Sequence, residues 1–199
     1  MILGLKLSLI GEDGLDNIKD LLEKVKENNT PGAFLEAGVW RGGACIWARA
    51  MMDYLKINEP VYVCDSFEGV PSPQWKEDWG DQNYLMRELS VSLNTVKENF
   101  NYFVLEGPVR FIKGLFKDTM PMLKNNLESI SILRADGDMY ESTTQILENL
   151  YDKVSSGGFV IVDDYALPGA KMAIDNFRTK RNIEAPLTKV NDTIYYCQK

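Results

Sequence analysis

Histidine is absent from all 199 residues. That excludes Ser-His-Asp and Cys-His nucleophilic catalysis, imidazole acid–base work and imidazole metal ligation. Any metal must then be held by oxygen, which favours hard ions such as Mg²⁺ or Ca²⁺. Cysteine is scarce: Cys45, Cys64 and Cys197 are odd in number, widely spaced and set among apolar residues. They read as reduced core thiols of a cytoplasmic protein, with no disulfide framework and no zinc site. No apolar run approaches the roughly 20 residues that span a bilayer. The start, Met1 to Leu7, lacks the basic and long apolar regions of a signal peptide. Basic blocks are missing too, and the net charge of −7 speaks against nucleic acid or an anionic membrane as partner.

What the chain does have is Phe34-Leu35-Glu36-Ala37-Gly38-Val39-Trp40-Arg41-Gly42-Gly43. A short apolar run ends in an acid and a glycine-rich turn, and the apolar stretch Ala44 to Met52 follows. Strand, glycine turn and helix in that order bring backbone close to a nucleotide-like ligand. A Cβ would block that approach. The spacing Glu-x-Gly-x-x-x-Gly is neither a dinucleotide fingerprint nor a phosphate-cradling loop. An acid ahead of the glycine suits a ligand with a cationic amino-acid end, such as S-adenosylmethionine. The bland alternative is a tight turn in any α/β domain.

Periodicity lays out the remainder. An amphipathic helix is expected over 16–27, strands over 33–36, 61–65, 109–113, 131–136 and 159–163, and helices over 43–55 and 89–103. Thr119-Met120-Pro121 reads as the cap and first turn of a short helix. Ser142 or Thr143 is expected to cap a helix through Tyr151, and Ser155-Ser156-Gly157-Gly158 to form a turn. A helix over 169–181 and a terminal hairpin, 187–190 with 193–197, complete the chain. The outcome is α/β: five strands alternating with helices, then an antiparallel pair. Residues 1–199 read as one domain, with 1–32 a helical cap segment and 33–199 the core. Between Ser66 and Asn83 regular structure lapses around Trp75 and Trp79. Two readings stand, a surface loop with tucked aromatics or a lid and substrate wall.

The sharpest chemistry sits in Arg134-Ala135-Asp136-Gly137-Asp138-Met139-Tyr140 and Val162-Asp163-Asp164-Tyr165. Both follow apolar strands, so both belong at the sheet edge that carries Glu36 and Asp65. Carboxylates gathered there repel one another unless a cation joins them, and an oxygen-only Mg²⁺ site would do so. The alternative is that some of these acids cap helices. A metal there could bind neighbouring hydroxyls, lower the pKa of one and hold its oxygen in line with an electrophile.

With these residues in view, the chain resembles the macrocin O-methyltransferase family of S-adenosylmethionine-dependent sugar methyltransferases. The matching stretches are Glu36–Ala44, Asp65–Pro71, Val109–Gly114 with Phe116–Thr119, Asp136–Thr143 and Gly157–Tyr165. The resemblance implies a class I methyltransferase fold: a Rossmann-like, mostly parallel seven-stranded sheet with a C-terminal antiparallel hairpin and helices on both faces. It implies that the turn of Glu36, Ala37, Gly38, Val39, Trp40, Arg41, Gly42 and Gly43 holds the methionine end of the cofactor. Asp65 would accept hydrogen bonds from the ribose hydroxyls beside Ser66, with Lys113 and Gly114 near the adenine. Mg²⁺ ligands map to Asp136, Asp163 and Asp164; Asp136 is the first candidate for general base and Asp138 the second. Tyr140, Tyr165, Trp75 and Trp79 are the candidate substrate contacts. Two departures stand out, a short N-terminal region and the lack of the substrate-side histidine that some members carry.

The expected activity is transfer of a methyl group to a sugar hydroxyl, with a rhamnose-like deoxysugar as acceptor. A catechol-type O-methyltransferase is the nearest alternative, and a non-catalytic cofactor-binding module the other. No nucleic-acid or membrane partner is expected, a cytoplasmic setting is, and a homodimer is left open.

Overall fold

The computed structural model describes residues 1–199, and its first regular element is helix α1 (Gly11–Glu27). Leu15, Ile18, Leu21, Leu22 and Val25 form its buried face. The helix starts five residues before the expected Asp16, because Glu12 and Asp13 supply the acidic first turn that favours a helix start. Strand β1 (Ala33–Ala37) leads into α2 (Gly43–Tyr54), and β2 (Val61–Asp65) into a long irregular segment. Three short 3-10 turns interrupt that segment before α3 (Leu93–Asn101). The expected start at Leu89 is corrected: Ser92 caps the helix, its Oγ accepting Thr95 N–H at 3.1 Å.

Strand β3 (Val109–Lys113) is followed by α4 (Phe116–Asn126), and β4 (Ile130–Ala135) by α5 (Tyr140–Leu150). Pro121 therefore lies inside α4, not in its first turn as expected. Ser142 and Thr143 are buried within α5 and cap nothing. Strand β5 (Val154–Val162) absorbs the stretch Ser155 to Gly158 that was expected to turn. Its register against β4 shifts there, from Ile130 opposite Val154 to Ile132 opposite Phe159. Gly157 takes φ +80°, the left-handed value that such an irregularity demands of glycine. Helix α6 (Pro168–Lys180) and the pair β6 (Thr188–Lys189) and β7 (Tyr195–Gln198) end the chain.

The sheet order is β3-β2-β1-β4-β5-β7-β6. The first five strands are parallel, and β7 runs antiparallel to both neighbours. Every residue of β1 and β4 is buried, so alternate side chains feed opposite cores. Phe34 and Ile132 pack with α1, α2 and α3; Leu35 and Leu133 pack with α4, α5 and α6. Two-sided burial explains why these strands read as continuous apolar runs. The winding direction reverses between β1 and β4, which opens a crevice at their carboxyl ends.

Candidate active site

That crevice is a cavity of about 280 Å³, and Glu36, Gly38, Asp65, Asp136, Asp138 and Asp163 all face it. The strand-end acids thus meet at one edge, as their positions in the sequence require. Asp136 N–H donates to the Ala37 carbonyl at 2.9 Å, so the ends of β1 and β4 are stitched together. This stitching gives Gly38 a reason other than ligand approach. At φ +92° a Cβ there would overlap the Asp136 carbonyl oxygen.

The glycine turn divides its work. Gly38, Val39 and Trp40 line the cavity, while Ala37 is buried behind it. Gly43 N–H donates to the Leu7 carbonyl at 3.0 Å, and Gly42 faces Val96 and Phe100. These two glycines admit the N-terminal segment and α3, not a ligand. The Arg41 guanidinium lies 4.4 Å from the centre of the Trp40 ring and donates to the Lys6 carbonyl. Asp65 accepts from Val39 N–H at 2.8 Å and Phe67 N–H at 2.7 Å, which fixes its carboxylate in the wall. Ser66 and Gly114 also line the cavity, but Lys113 turns away to an exposed ion pair with Glu68 at 3.0 Å.

At the other end, carboxylate oxygens of Asp136, Asp163 and Asp164 lie within 4.8 Å of one another. The expectation that only a bound cation could hold such acids together needs correction, because Arg134 is there. Its side chain is 1% exposed and its Nη1 donates to both Glu36 and Asp136. Nη2 lies 2.8 Å from Asp163 Oδ1, yet off any hydrogen-bonding direction, so that buried oxygen keeps its lone pairs unused. One guanidinium cannot neutralise Glu36, Asp136, Asp138, Asp163 and Asp164 together. The surplus negative charge, the three clustered oxygens and the unused Asp163 Oδ1 fit a hard divalent cation.

Electrostatics bear out the crowding. Burial, then the Asp163 charge, pushes the Asp136 carboxyl well above the ordinary aspartate range. Burial and Asp164 push Asp138 up to about 8, and burial and Asp163 push Asp164 up to about 6. Asp138 adopts φ +58°, a left-handed value that aspartate tolerates better than most residues. Its N–H donates to Asp164 Oδ2 at 2.9 Å, which joins the two acid loops.

The four candidate aromatics are not in the cavity wall. Trp79 is 75% exposed, and Trp75 packs on Tyr140 with ring centres 5.9 Å apart. The Tyr165 hydroxyl donates to Asp175 at 2.8 Å, and its ring packs at a tilt against Tyr195. Each aromatic finds an intramolecular partner or solvent, a preference that no local pattern encodes. Conversely, no motif marks Arg134, Cys45 or Asp78 as part of the site. Cys45 Sγ donates to Glu36 Oε2 at 2.7 Å. The Asp78 carboxylate accepts Tyr140 N–H at 2.6 Å and Glu141 N–H at 2.9 Å. A charged residue inside an apolar strand was the available signal for Arg134; Asp78 had none.

Comparison with known proteins agrees with this architecture. The family model described as Macrocin-O-methyltransferase (TylF) matches residues 4–199. Demethyldecarbamoylnovobiocin O-methyltransferase of Streptomyces niveus is 42% identical over 197 residues, which cover 95% of this chain and 74% of that protein. A Streptomyces olivaceus enzyme, 8-demethyl-8-(2,3-dimethoxy-alpha-L-rhamnosyl)-tetracenomycin-C 4'-O-methyltransferase, is 38% identical across 94% of this chain and 73% of its own length. The solved structure of the O-methyltransferase NovP superposes with a TM-score of 0.91 at 40% identity, covering 96% of this chain and 81% of that one. The seven-stranded fold, the cavity at its switch point and these matches together establish that the chain belongs to the macrocin O-methyltransferase family, enzymes that transfer a methyl group from S-adenosylmethionine to oxygen.

Proposed function

We propose that this enzyme methylates a hydroxyl of a deoxysugar, of rhamnose type, on a glycosylated natural product, and that it does so with Mg²⁺ held by Asp136, Asp163 and Asp164. The observation that carries the reading is that one cavity joins the Gly38 turn and Asp65 to that carboxylate trio. The rhamnosyl acceptor in the name of the Streptomyces olivaceus relative supports the sugar class.

On this reading the Glu36–Val39 turn faces the methionine end of the cofactor, Asp65 the ribose and Gly114 the adenine. S-adenosylmethionine supplies the methyl group as an activated sulfonium, and Mg²⁺ would polarise the acceptor oxygen. The chain's own part is to orient, to exclude water and to remove one proton. Asp138 is the better base. Asp136 is tied to Arg134 Nη1 at 2.6 Å, whereas Asp138 Oδ1 has only the Asn83 amide at 3.5 Å. Asp138 faces the cavity with that oxygen free of the arginine, which suits it to accept a hydroxyl proton.

Calorimetric titration with S-adenosylhomocysteine, then with rhamnosides and catechol, each with and without Mg²⁺, tests the proposal. Cofactor-product binding with rhamnoside binding that needs Mg²⁺ is the expected result. Catechol binding in its place would assign a flat aromatic diol. Retained activity in Asp163→Asn would remove the metal from the mechanism.

A further inference from the structure

Asp78 is a carboxylate with 2% exposure in the middle of an irregular surface segment. Such burial costs a charged group dearly unless it is hydrogen-bonded throughout. Its two oxygens accept the N–H groups of Tyr140 and Glu141, the first two residues of α5. Helix α5 has no side-chain cap of its own, since Met139 stands at the capping position. Asp78 supplies the cap from 62 residues away in sequence. Its other neighbour is Gly169, at the start of α6, where a Cβ would lie 2.9 Å from Asp78 Oδ1 and 3.0 Å from Tyr140 N. The carboxylate is therefore wedged between the segments that follow the two acid loops, Asp136–Asp138 and Asp163–Asp164.

The segment that carries Asp78, residues 66–92, also builds the cavity wall through Val70, Ser72, Gln74 and Leu89. It is tied down at two ends. Near the cofactor turn, Trp40 Nε1–H donates to the Glu88 carbonyl at 2.8 Å. At the acid end, Asp78 grips α5, and Asn83 Nδ2 reaches Asp138 Oδ1 at 3.5 Å. Helix capping alone would explain a carboxylate at α5. It would not explain why the cap comes from the cavity wall and seats beside the acid loops.

We propose that Asp78 is a positioning residue for the methyl acceptor: its buried carboxylate latches the 66–92 segment onto α5 and α6 and sets the acceptor end of the cavity. This rests on the methyltransferase reading of the cavity and on the carboxylates marking its acceptor end, not on which sugar is the acceptor. Releasing the latch shifts the wall beside Asp138 while Asp65 and the Trp40 tie still hold the cofactor end.

The experiment compares Asp78→Ala, Asp78→Asn and Gly169→Ala with the unmodified full chain. Three quantities are read: S-adenosylhomocysteine affinity by calorimetry, amide hydrogen exchange over 71–90, and KM and kcat for a rhamnoside that the unmodified enzyme methylates. Asp78→Ala is expected to raise the acceptor KM about tenfold, with affinity for S-adenosylhomocysteine unchanged. Exchange over 71–90 quickens. Asp78→Asn keeps an oxygen for Tyr140 N–H but turns its NH₂ toward Glu141 N–H, donor against donor, and recovers only part of the loss. Gly169→Ala keeps the carboxylate but crowds it, while alanine favours the helix it joins. Whatever the crowding does to the melting temperature, it is expected to raise the acceptor KM with S-adenosylhomocysteine affinity unchanged, a split that a merely stabilising Asp78 would not produce. Equal losses of S-adenosylhomocysteine affinity and acceptor KM, or unchanged exchange over 71–90, would overturn the latch. Where no rhamnoside is methylated by the unmodified chain, the sugar assignment fails. The exchange and S-adenosylhomocysteine readings then decide the latch by themselves.

Discussion

At Arg134 a single side chain faces three carboxylates, hydrogen-bonded to two of them and ion-paired with the third. Its position opposite Glu36 in the β1–β4 register places the guanidinium under the cavity floor, among Glu36, Asp136 and Asp163. Removing one partner of a buried ionic cluster leaves the others uncompensated, a cost of about 3–5 kcal/mol. Arg134→Met is expected to lose stability on that scale in urea denaturation of the metal-free protein, and less at pH 5, where Glu36 and Asp136, both held above the ordinary carboxylate range by burial, take up protons. The arginine was visible in the sequence as a charge inside Ile130–Ala135, but its role was not. Only strand pairing shows that Glu36 is its neighbour, 98 residues away.

At the scale of elements, two local rules were overridden by packing. Pro121 reads as a helix start because proline suits a first turn. Leu115 and Phe116 nevertheless start α4 earlier, since Met120 and Leu123 are drawn into the core beneath. The Lys117 carbonyl then has no N–H to receive from Pro121. Pro121→Ala restores that donor, and thermal unfolding should show a gain of about 1–2 kcal/mol. The turn after β1 shows the reverse case. Its glycines were legible, but their reasons were partly misassigned, since Gly38 makes room for β4 and Gly43 for the N-terminal segment. Gly38→Ala is expected to yield no stably folded protein, because left-handed strain and overlap with Asp136 fall on one atom. Soluble expression and circular dichroism would check this.

For the whole molecule, the gathered acids set a pH dependence. In the metal-free protein Asp138 and Asp164 keep their protons up to about 8 and about 6, beyond the ordinary aspartate range. Between about pH 4 and 8 the folded state therefore binds more protons than the unfolded chain, and stability falls as pH rises. The contribution is full below the unfolded pKa and is lost as pH passes the folded values. Urea midpoints are expected to drop over that window without Mg²⁺. Added Mg²⁺ competes with those protons, so its stabilising shift should be larger at pH 8 than at pH 5. Equal shifts at the two pH values would separate Mg²⁺ from these carboxylates.

Much of this protein was determined by the order of its residues alone. Apolar runs such as Phe159 to Val162, β-branched and preceded by a glycine pair, read as strands buried on both faces, and each strand's last residue lies at the sheet edge whatever the helices do. The α/β class, the glycine turn after β1 and the placing of Asp65, Asp136, Asp163 and Asp164 at one sheet edge follow from that local reading. What only the tertiary structure decided is which groups satisfy one another. Asp78 capping α5, Arg134 bridging three acids and Tyr165 turning from the cavity to Asp175 are contacts between residues distant in sequence or on different elements. Periodicity reports whether a residue is buried. A buried charge must find its partner in three dimensions, and the sheet order chooses which partners come within reach.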